Sequence, residues 1–310
     1  MPKFSVQICC YNSERYLDET IRSVICQTFK DWEMVIVNDG STDATESIVR
    51  RYIDEGVPIT YFWQENRGFA AARNKAIELS RARWIAILDH DDVWCPGKLK
   101  AQSEAIDRHP EAKLHFANSE WFLDSGRTVR TTVEDNRFES GILENAFTRL
   151  LTEGCFIDSE TAVMDKHSII ECGGFNERYA YIVDYDAFIK MARSNAVCYE
   201  NAVLARWRMH KRQASSVMKA TMFEEYVLMF EDIINSYDLP GDVRRIIKDE
   251  ITSNLVKYSA LGLGEGKIRK SLSFAIKRLD PYSMARFAAI KAPRAAYRKI
   301  KSITRRKGEK

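Results

Sequence analysis

No uninterrupted apolar stretch of this 310-residue chain approaches the ~18 residues that cross a bilayer, which excludes a spanning helix from the sequence. Cysteine is sparse and unpatterned. The seven thiols, at Cys9, Cys10, Cys26, Cys95, Cys155, Cys172 and Cys198, are odd in number and contain no Cys-x-x-Cys. That excludes a zinc ribbon or a disulfide framework and predicts reduced, mostly buried thiols in a cytoplasm. The beginning, Met1-Pro2-Lys3-Phe4-Ser5-Val6, carries no signal-peptide pattern and runs directly into a strand. There is no internal repeat and no nucleic-acid-binding motif. A glycine-rich phosphate loop with a lysine near the first strand is also missing.

What is present is ample core material: 45% of residues are hydrophobic and 29% charged, the balance of a globular chain. The length predicts one large α/β domain with an addition, or two domains. We place the division at 1–216, an α/β domain, and 217–310, a helical basic region. The net charge of +3 conceals an asymmetry. From Pro240 onward there are 19 Lys and Arg against 6 Asp and Glu, so a basic tail follows an acidic body. Such a tail is expected to meet an anionic surface.

Along the first hundred residues, strands and helices alternate in units of about 30 residues, the length of a strand–helix–strand crossover. Phe4–Cys10, Trp32–Val37, Ile59–Phe62 and Trp84–Leu88 read as strands. Tyr16–Gln27, a stretch opened by Asp43 and Glu46 as a capping box, and Phe69–Ser80 read as helices. This alternation predicts an α/β fold with a mostly parallel sheet flanked by helices. Ligands of such sheets bind outside the carboxyl ends of the strands. Asn12, Asp39, Asn66 and Asp89 each follow a strand and are therefore expected to line one crevice suited to a nucleotide. Farther on, Pro96–His109 and Gly141–Glu153 read as helices, 119–140 as a hairpin or lid, and Phe156–Met164 as strand-like. Asp184 opens another helix, and Val197–Glu200 and Val203–Trp207 read as two closing strands.

The apolar run from Trp84 ends in Asp89-His90-Asp91-Asp92. Carboxylates this close repel one another, so a positive partner belongs among them. Mn²⁺ or Mg²⁺ bridging a phosphorylated ligand meets that need, since these ions favour a few carboxylates plus phosphate oxygens. The alternative is a solvated acidic turn that caps the next helix.

Seven motifs in order carry a resemblance. They are Tyr11-Asn12, Val35-Ile36-Val37-Asn38-Asp39-Gly40-Ser41-Thr42-Asp43, Asn66-Arg67-Gly68 with Ala72-Arg73-Asn74, Asp89-His90-Asp91-Asp92, Gly173-Gly174-Phe175-Asn176-Glu177, Asp184-Tyr185-Asp186 and Arg208-Met209-His210. Over about Phe4 to Ser216 the chain resembles the family 2 inverting glycosyltransferases of the GT-A fold. The resemblance implies a metal-dependent transferase that moves a sugar from a UDP- or dTDP-sugar to a hydroxyl of a glycan or lipid-linked acceptor in cell-surface polysaccharide synthesis.

For the donor, the resemblance implies Asp39 accepting from the N3–H of uracil or thymine, with turn capping as the alternative. Tyr11 stacks on the base or packs on its neighbours, and Asn12 lines the donor site. Arg73 reaches base or phosphate, or forms a surface salt bridge. Asp89 lies near the ribose, and Asp91 holds the cation with Asp92 replacing or assisting it. His210 adds to the metal or is structural. Asp184 matches the catalytic base, its alternative being a helix N-cap. The family usually has an acid immediately before this aspartate, whereas this chain has Val183.

Two other readings stand beside this one: a catalytically inactive nucleotide-sugar-binding protein, and a sugar-nucleotide pyrophosphorylase, which the missing phosphate loop disfavours. The basic tail, Lys267 to Lys310, with Met284, Phe287, Tyr297, Ile300 and Ile303 at near-helical spacing, is expected to touch an anionic membrane peripherally on its cytoplasmic face. No nucleic-acid partner is expected.

Overall fold

The structure is a computed structural model that describes residues 1–133, 137–210, 213, 220–264, 273, 274 and 278. The chain divides into two compact units, Met1–Gln213 and Ala214–Lys310. In the first, strands β1 (Phe4–Cys10), β2 (Trp32–Asp39), β3 (Ile59–Gln64) and β4 (Trp84–Ile87) alternate with helices α1 (Leu17–Ile25), α2 (Thr45–Asp54) and α3 (Phe69–Leu79). Every residue of β1 is buried, as a central parallel strand covered on both faces requires. One face of β1 and β2, through Val6, Ile8, Met34 and Ile36, packs on Leu17, Ile21 and Val24 of α1. On the other, Cys9, Val35 and Val37 meet Ala72 and Ala76 of α3.

The unit continues with β5 (Val93–Trp94), α4 (Lys98–Arg108), β6 (Ala112–Leu123), β7 (Thr128–Thr131), β8 (Gly141–Ile142) and α5 (Ala146–Glu153). A 3-10 turn (Ser159–Thr161), β9 (Val163–Asp165), α6 (Lys166–Glu171), α7 (Val183–Ser194) and β10 (Ala196–Met209) complete it. The described strands form one sheet in the order β3-β2-β1-β4-β9-β6-β10-β5, with β7 on β6 and β8 on β10. Strands β1 to β4 run parallel. β9 is antiparallel to both β4 and β6, so β6 runs with β4, and β10 pairs parallel with β6. Six strands therefore direct their carboxyl ends to the same edge.

Several local expectations are revised. The 119–140 stretch is a hairpin only at β6–β7, and 134–136 lie outside the described residues. Phe156–Met164 is strand only at its end, because Ser159–Thr161 wind into a 3-10 turn that buries Glu160 and Thr161 instead of alternating. The two closing strands are one, β10, whose register slips near Glu200–Val203–Ala205 let a polar Glu200-Asn201 step pass without ending the ladder. Gly141–Glu153 begins as β8 before α5. Asp43 is not the cap of α2, which follows Ala44. Its carboxylate accepts the N–H groups of Glu14 and Thr45, while Glu14 accepts that of Ala44, so the two acids tie the turn after β1 to the start of α2. The seven cysteines are free thiols, and fewer are buried than expected: Cys9, Cys10 and Cys198, with Cys26 and Cys155 exposed.

The second unit contains α8 (Ala220–Ser236) and α9 (Gly241–Gly264), packed on one another. Ala220, Phe223 and Tyr258 form part of their shared apolar seam, and the Tyr258 hydroxyl donates to Glu224 at 2.9 Å. The basic segment 267–310 lies outside the described residues apart from Ser273, Phe274 and Arg278. No helix of the described residues is long and apolar enough to cross a membrane.

Candidate functional site

The turns after β1, β2 and β3 meet at the carboxyl edge of the sheet. Asn12 takes a left-handed conformation, φ 50°, which asparagine tolerates, and its side-chain oxygen accepts the Thr42 N–H at 2.9 Å. Tyr11 beside it is half exposed. Asp39, at the end of β2, is buried and accepts three N–H groups: Gln64 Nε2 at 2.7 Å, Arg67 N at 2.9 Å and Gly68 N at 2.9 Å. It thereby holds the β3–α3 turn against β2. Gly40 makes this approach possible: its φ is +80°, and a Cβ there would lie 2.8 Å from Asn66 N.

The acidic run after β4 is divided among different partners. Asp89 accepts from Arg73 Nη2 at 3.0 Å through one oxygen and from Ser159 Oγ at 2.8 Å through the other. Asp91 Oδ2 lies 2.8 Å from His210 Nε2, with both side chains largely buried. Burial pushes the Asp91 carboxyl up, but His90 and His210 outweigh it and leave it below its usual value. Asp92 is buried and accepts the Arg208 N–H at 2.7 Å. Arg208 Nε also donates to the Asp91 carbonyl at 2.8 Å. The end of β10 thus clamps the acidic loop through Arg208 and meets its second carboxylate through His210. His210 is further fixed by the Tyr16 ring, 4.8 Å away.

Glu160, on the 3-10 turn, is a residue that sequence reasoning missed. Carboxylate oxygens of Asp89, Asp92 and Glu160 lie within 4.8 Å of one another, and Glu160 is as buried as Asp92. Burial raises both Asp92 and Glu160 well above the carboxylate range, reinforced for Glu160 by Asp158 and Asp89. The available signal was the polar trio Asp158-Ser159-Glu160 interrupting an apolar run. Asp158 anchors that turn to β6 and to the residue after β7, accepting from Ser119 Oγ at 2.5 Å and from Thr132.

Asp184 lies in the first turn of α7, past the cap residue Ile182, so it is not the N-cap. Its carboxylate faces Arg73, with Nε 3.2 Å from Oδ1 and Nη2 3.3 Å from Oδ2. Burial raises Asp184 to about 6, with Arg73 opposing and Asp89 adding to the rise. Val183 is buried in the core. Arg73 is 1% exposed, which rules out a surface salt bridge. At the next position of α3, Asn74 holds the glycine turn before α7, accepting the Phe175 N–H and donating to its carbonyl, both at 2.9 Å.

The structure therefore links Arg73, Asp89, Asp91, Asp92, Asp184 and His210 through the acidic loop and its partners, with Asp39 at the end of β2 on the same sheet edge. A family model of glycosyl transferase family 2 matches residues 5–172, more than half of the chain. The chain belongs to glycosyl transferase family 2. As a family 2 glycosyltransferase it is 28% identical over 289 residues to an uncharacterized glycosyltransferase of Rickettsia prowazekii, covering 90% of this chain and 85% of that one. It is 45% identical over 105 residues to the Bacillus subtilis teichuronic acid biosynthesis glycosyltransferase TuaG, covering 33% and 41% respectively. Its GT-A fold matches Staphylococcus aureus TarS in complex with UDP-GlcNAc at TM-score 0.70 and 20% identity, covering 98% of this chain and 92% of that one. It matches the mannosyltransferase PcManGT of Pyrobaculum calidifontis, in complex with GDP-Man and Mn²⁺, at TM-score 0.60 and 19% identity, covering 98% and 83%.

Proposed function

We propose that this family 2 glycosyltransferase moves a sugar, with inversion, from a UDP- or dTDP-sugar to a hydroxyl of a glycan or lipid-linked acceptor of the cell envelope. The observation that carries the reading is the placement of Asp184, a partly exposed carboxylate lifted to about 6 and joined through one arginine to Asp89 of the acidic loop. Inversion needs a single carboxylate that takes the acceptor hydroxyl's proton as the hydroxyl attacks opposite the departing diphosphate. A value near 6 lets Asp184 be ionised at neutral pH while remaining a better base than a solvated aspartate.

On the donor side, Asp39 offers the one lone pair left on its Oδ2 to an imide N–H, which uracil and thymine carry and cytosine lacks. Tyr11 supplies an exposed ring for the base, and Asn12 shapes the turn beside it. Asp89 faces the ribose side. The donor set of Asp91 and His210, a carboxylate oxygen and an imidazole nitrogen facing one another at 2.8 Å, fits Mn²⁺ or Mg²⁺. When bound, the ion supplies charge neutralisation for the leaving diphosphate. Asp92, held on the Arg208 N–H and raised toward its neutral form, supports the loop from beneath. The envelope acceptor is supported by the likeness to TuaG, named for teichuronic acid biosynthesis.

The test is a panel of UDP-, dTDP- and GDP-sugars assayed for nucleoside diphosphate release with Mn²⁺, with and without glycan or polyprenyl-linked acceptors. Release from UDP- or dTDP-sugars that rises with acceptor is expected. Turnover of GDP-sugars alone would overturn the base preference, and no turnover of any donor would overturn the reading of the site.

A further inference from the structure

Arg73 heads the fully buried side chains of the described residues, and its guanidinium lies among two carboxylates and two aromatic rings. Asp89 lies 3.0 Å away and Asp184 3.2 Å away. The rings of Phe69 and Phe175 lie 4.3 and 5.4 Å from the guanidinium carbon. Beneath it is the Cys9 thiol, whose value burial pushes up to about 12, so that group is neutral. With 1% of its surface exposed, Arg73 presents nothing to an arriving donor.

We infer that Arg73 is a positioning residue for Asp184: it orients the base, keeps it ionised beside Asp89, and does not bind the nucleotide-sugar. This rests on the reading of Asp184 as the base. Two carboxylates turned toward one arginine repel each other, and a cation between them holds both in place. A planar guanidinium placed between them donates to both through Nη2 while Nε lies 3.2 Å from Asp184 Oδ1, an arrangement that an ammonium on a flexible stem does not reproduce. The Asp89 end is held from its other side by Ser159 Oγ at 2.8 Å. Arg73 therefore has one fixed carboxylate to lean on and aims the other. The titratable groups around Asp184 are Arg73 from α3, Asp89 from the acidic loop, Cys9 from β1 and Cys155 after α5. Arg73 is the cation among them.

The experiment compares the full-length protein with Arg73→Gln, Arg73→Lys, Asp184→Asn and the Arg73→Gln/Asp184→Asn double variant, using the donor that the panel identifies. Transfer kcat, donor KM, the Kd for the nucleoside diphosphate and Tm are measured for each. Expected for Arg73→Gln is a kcat loss of about 10²-fold, the scale of a lost general base, with donor KM and Kd within about threefold of the original. Arg73→Lys recovers part of that kcat. In the Asp184→Asn background, Arg73→Gln adds little further loss, because both changes remove one function.

An unchanged kcat with KM and Kd raised together would make Arg73 a donor contact and overturn the inference. So would multiplicative losses in the double variant, which a merely structural role produces. Should Arg73→Gln fail to fold, the double variant, which removes the carboxylate charge as well, and Arg73→Lys carry the same comparison. An original enzyme that is active while Asp184→Asn retains its kcat fells the base assignment itself, a different result from an active Arg73→Gln.

Discussion

Asp184 and Asp91 are both aspartates at this edge, and their surroundings push them in opposite directions. Burial lifts Asp184 from 3.8 to about 6, whereas His90 and His210 hold Asp91 below its ordinary value despite burial. For activity the sign is direct: a base must be ionised, so the transfer rate should fall as pH drops through about 6 and be flat above it. For stability the sign reverses. An acid whose folded value is raised gains its proton more readily when folded, so Asp184 subtracts from stability as pH rises from 3.8 to about 6, and the subtraction is complete above that. Asp184→Asn should therefore unfold no earlier than the original at pH 7 while losing about 10²-fold or more in kcat. Thermal melts and initial rates across pH 5–8 (chosen to bracket the value) check both, and a variant that melts early with its kcat intact contradicts them. Metal dependence belongs to the neighbouring pair. EDTA should abolish transfer and Mn²⁺ or Mg²⁺ restore it, and His210→Ala should raise the Mn²⁺ concentration for half-activity by about 10-fold or more.

At the scale of elements, the site is assembled by turns that lock one strand end to the next. Asp39 binds the N–H groups of Arg67 and Gly68, and the absence of a side chain at Gly40 lets the Asn66 backbone approach. Gly40→Ala should cost about 1–3 kcal/mol, since it combines a left-handed backbone with a contact no Cβ makes. It should also weaken nucleotide binding, because Asp39 moves with the turn. Calorimetric melting and nucleotide titration of the same preparation check the pair of effects. The second lock joins α3 to the turn before α7: Asn74 holds both the N–H and the carbonyl of Phe175. Two buried backbone groups left unmatched in Asn74→Ala cost about 1–3 kcal/mol each. That variant should lower Tm and slow transfer together, since Arg73 and Asp184 sit on the two elements it joins.

For the whole molecule, the charge is divided: 19 basic residues against 6 acidic from Pro240 onward, on a chain of net charge +3. We propose that the basic region holds the enzyme against an anionic membrane, where each Lys or Arg near the surface contributes about 1 kcal/mol. Co-sedimentation with vesicles of phosphatidylcholine alone or with phosphatidylglycerol, at low and high salt, compares the full chain with a version ending at Glu265. The full chain should sediment with anionic vesicles at low salt and be released by high salt, and the shortened version should remain in the supernatant. If both stay in the supernatant at low salt, the membrane proposal is wrong.

The alternation of strand and helix, the parallel sheet and the residues that follow each strand were legible in the sequence, because apolar periodicity and turn chemistry are local properties. The acidic run at Asp89 and the aspartate opening α7 could be singled out for the same reason. What the sequence alone left open is the pairing. Arg73 and Asp184 are 111 positions apart, Arg208 and Asp91 117, and Ser159 and Asp89 70. No local pattern records that an arginine on an alanine-rich helix turns inward between two carboxylates, or that Glu160 sits beside Asp92. Nor does one show that β9 enters antiparallel between β4 and β6. The tertiary structure decided these points, because a buried charge is tolerable only where the fold brings its partner to it.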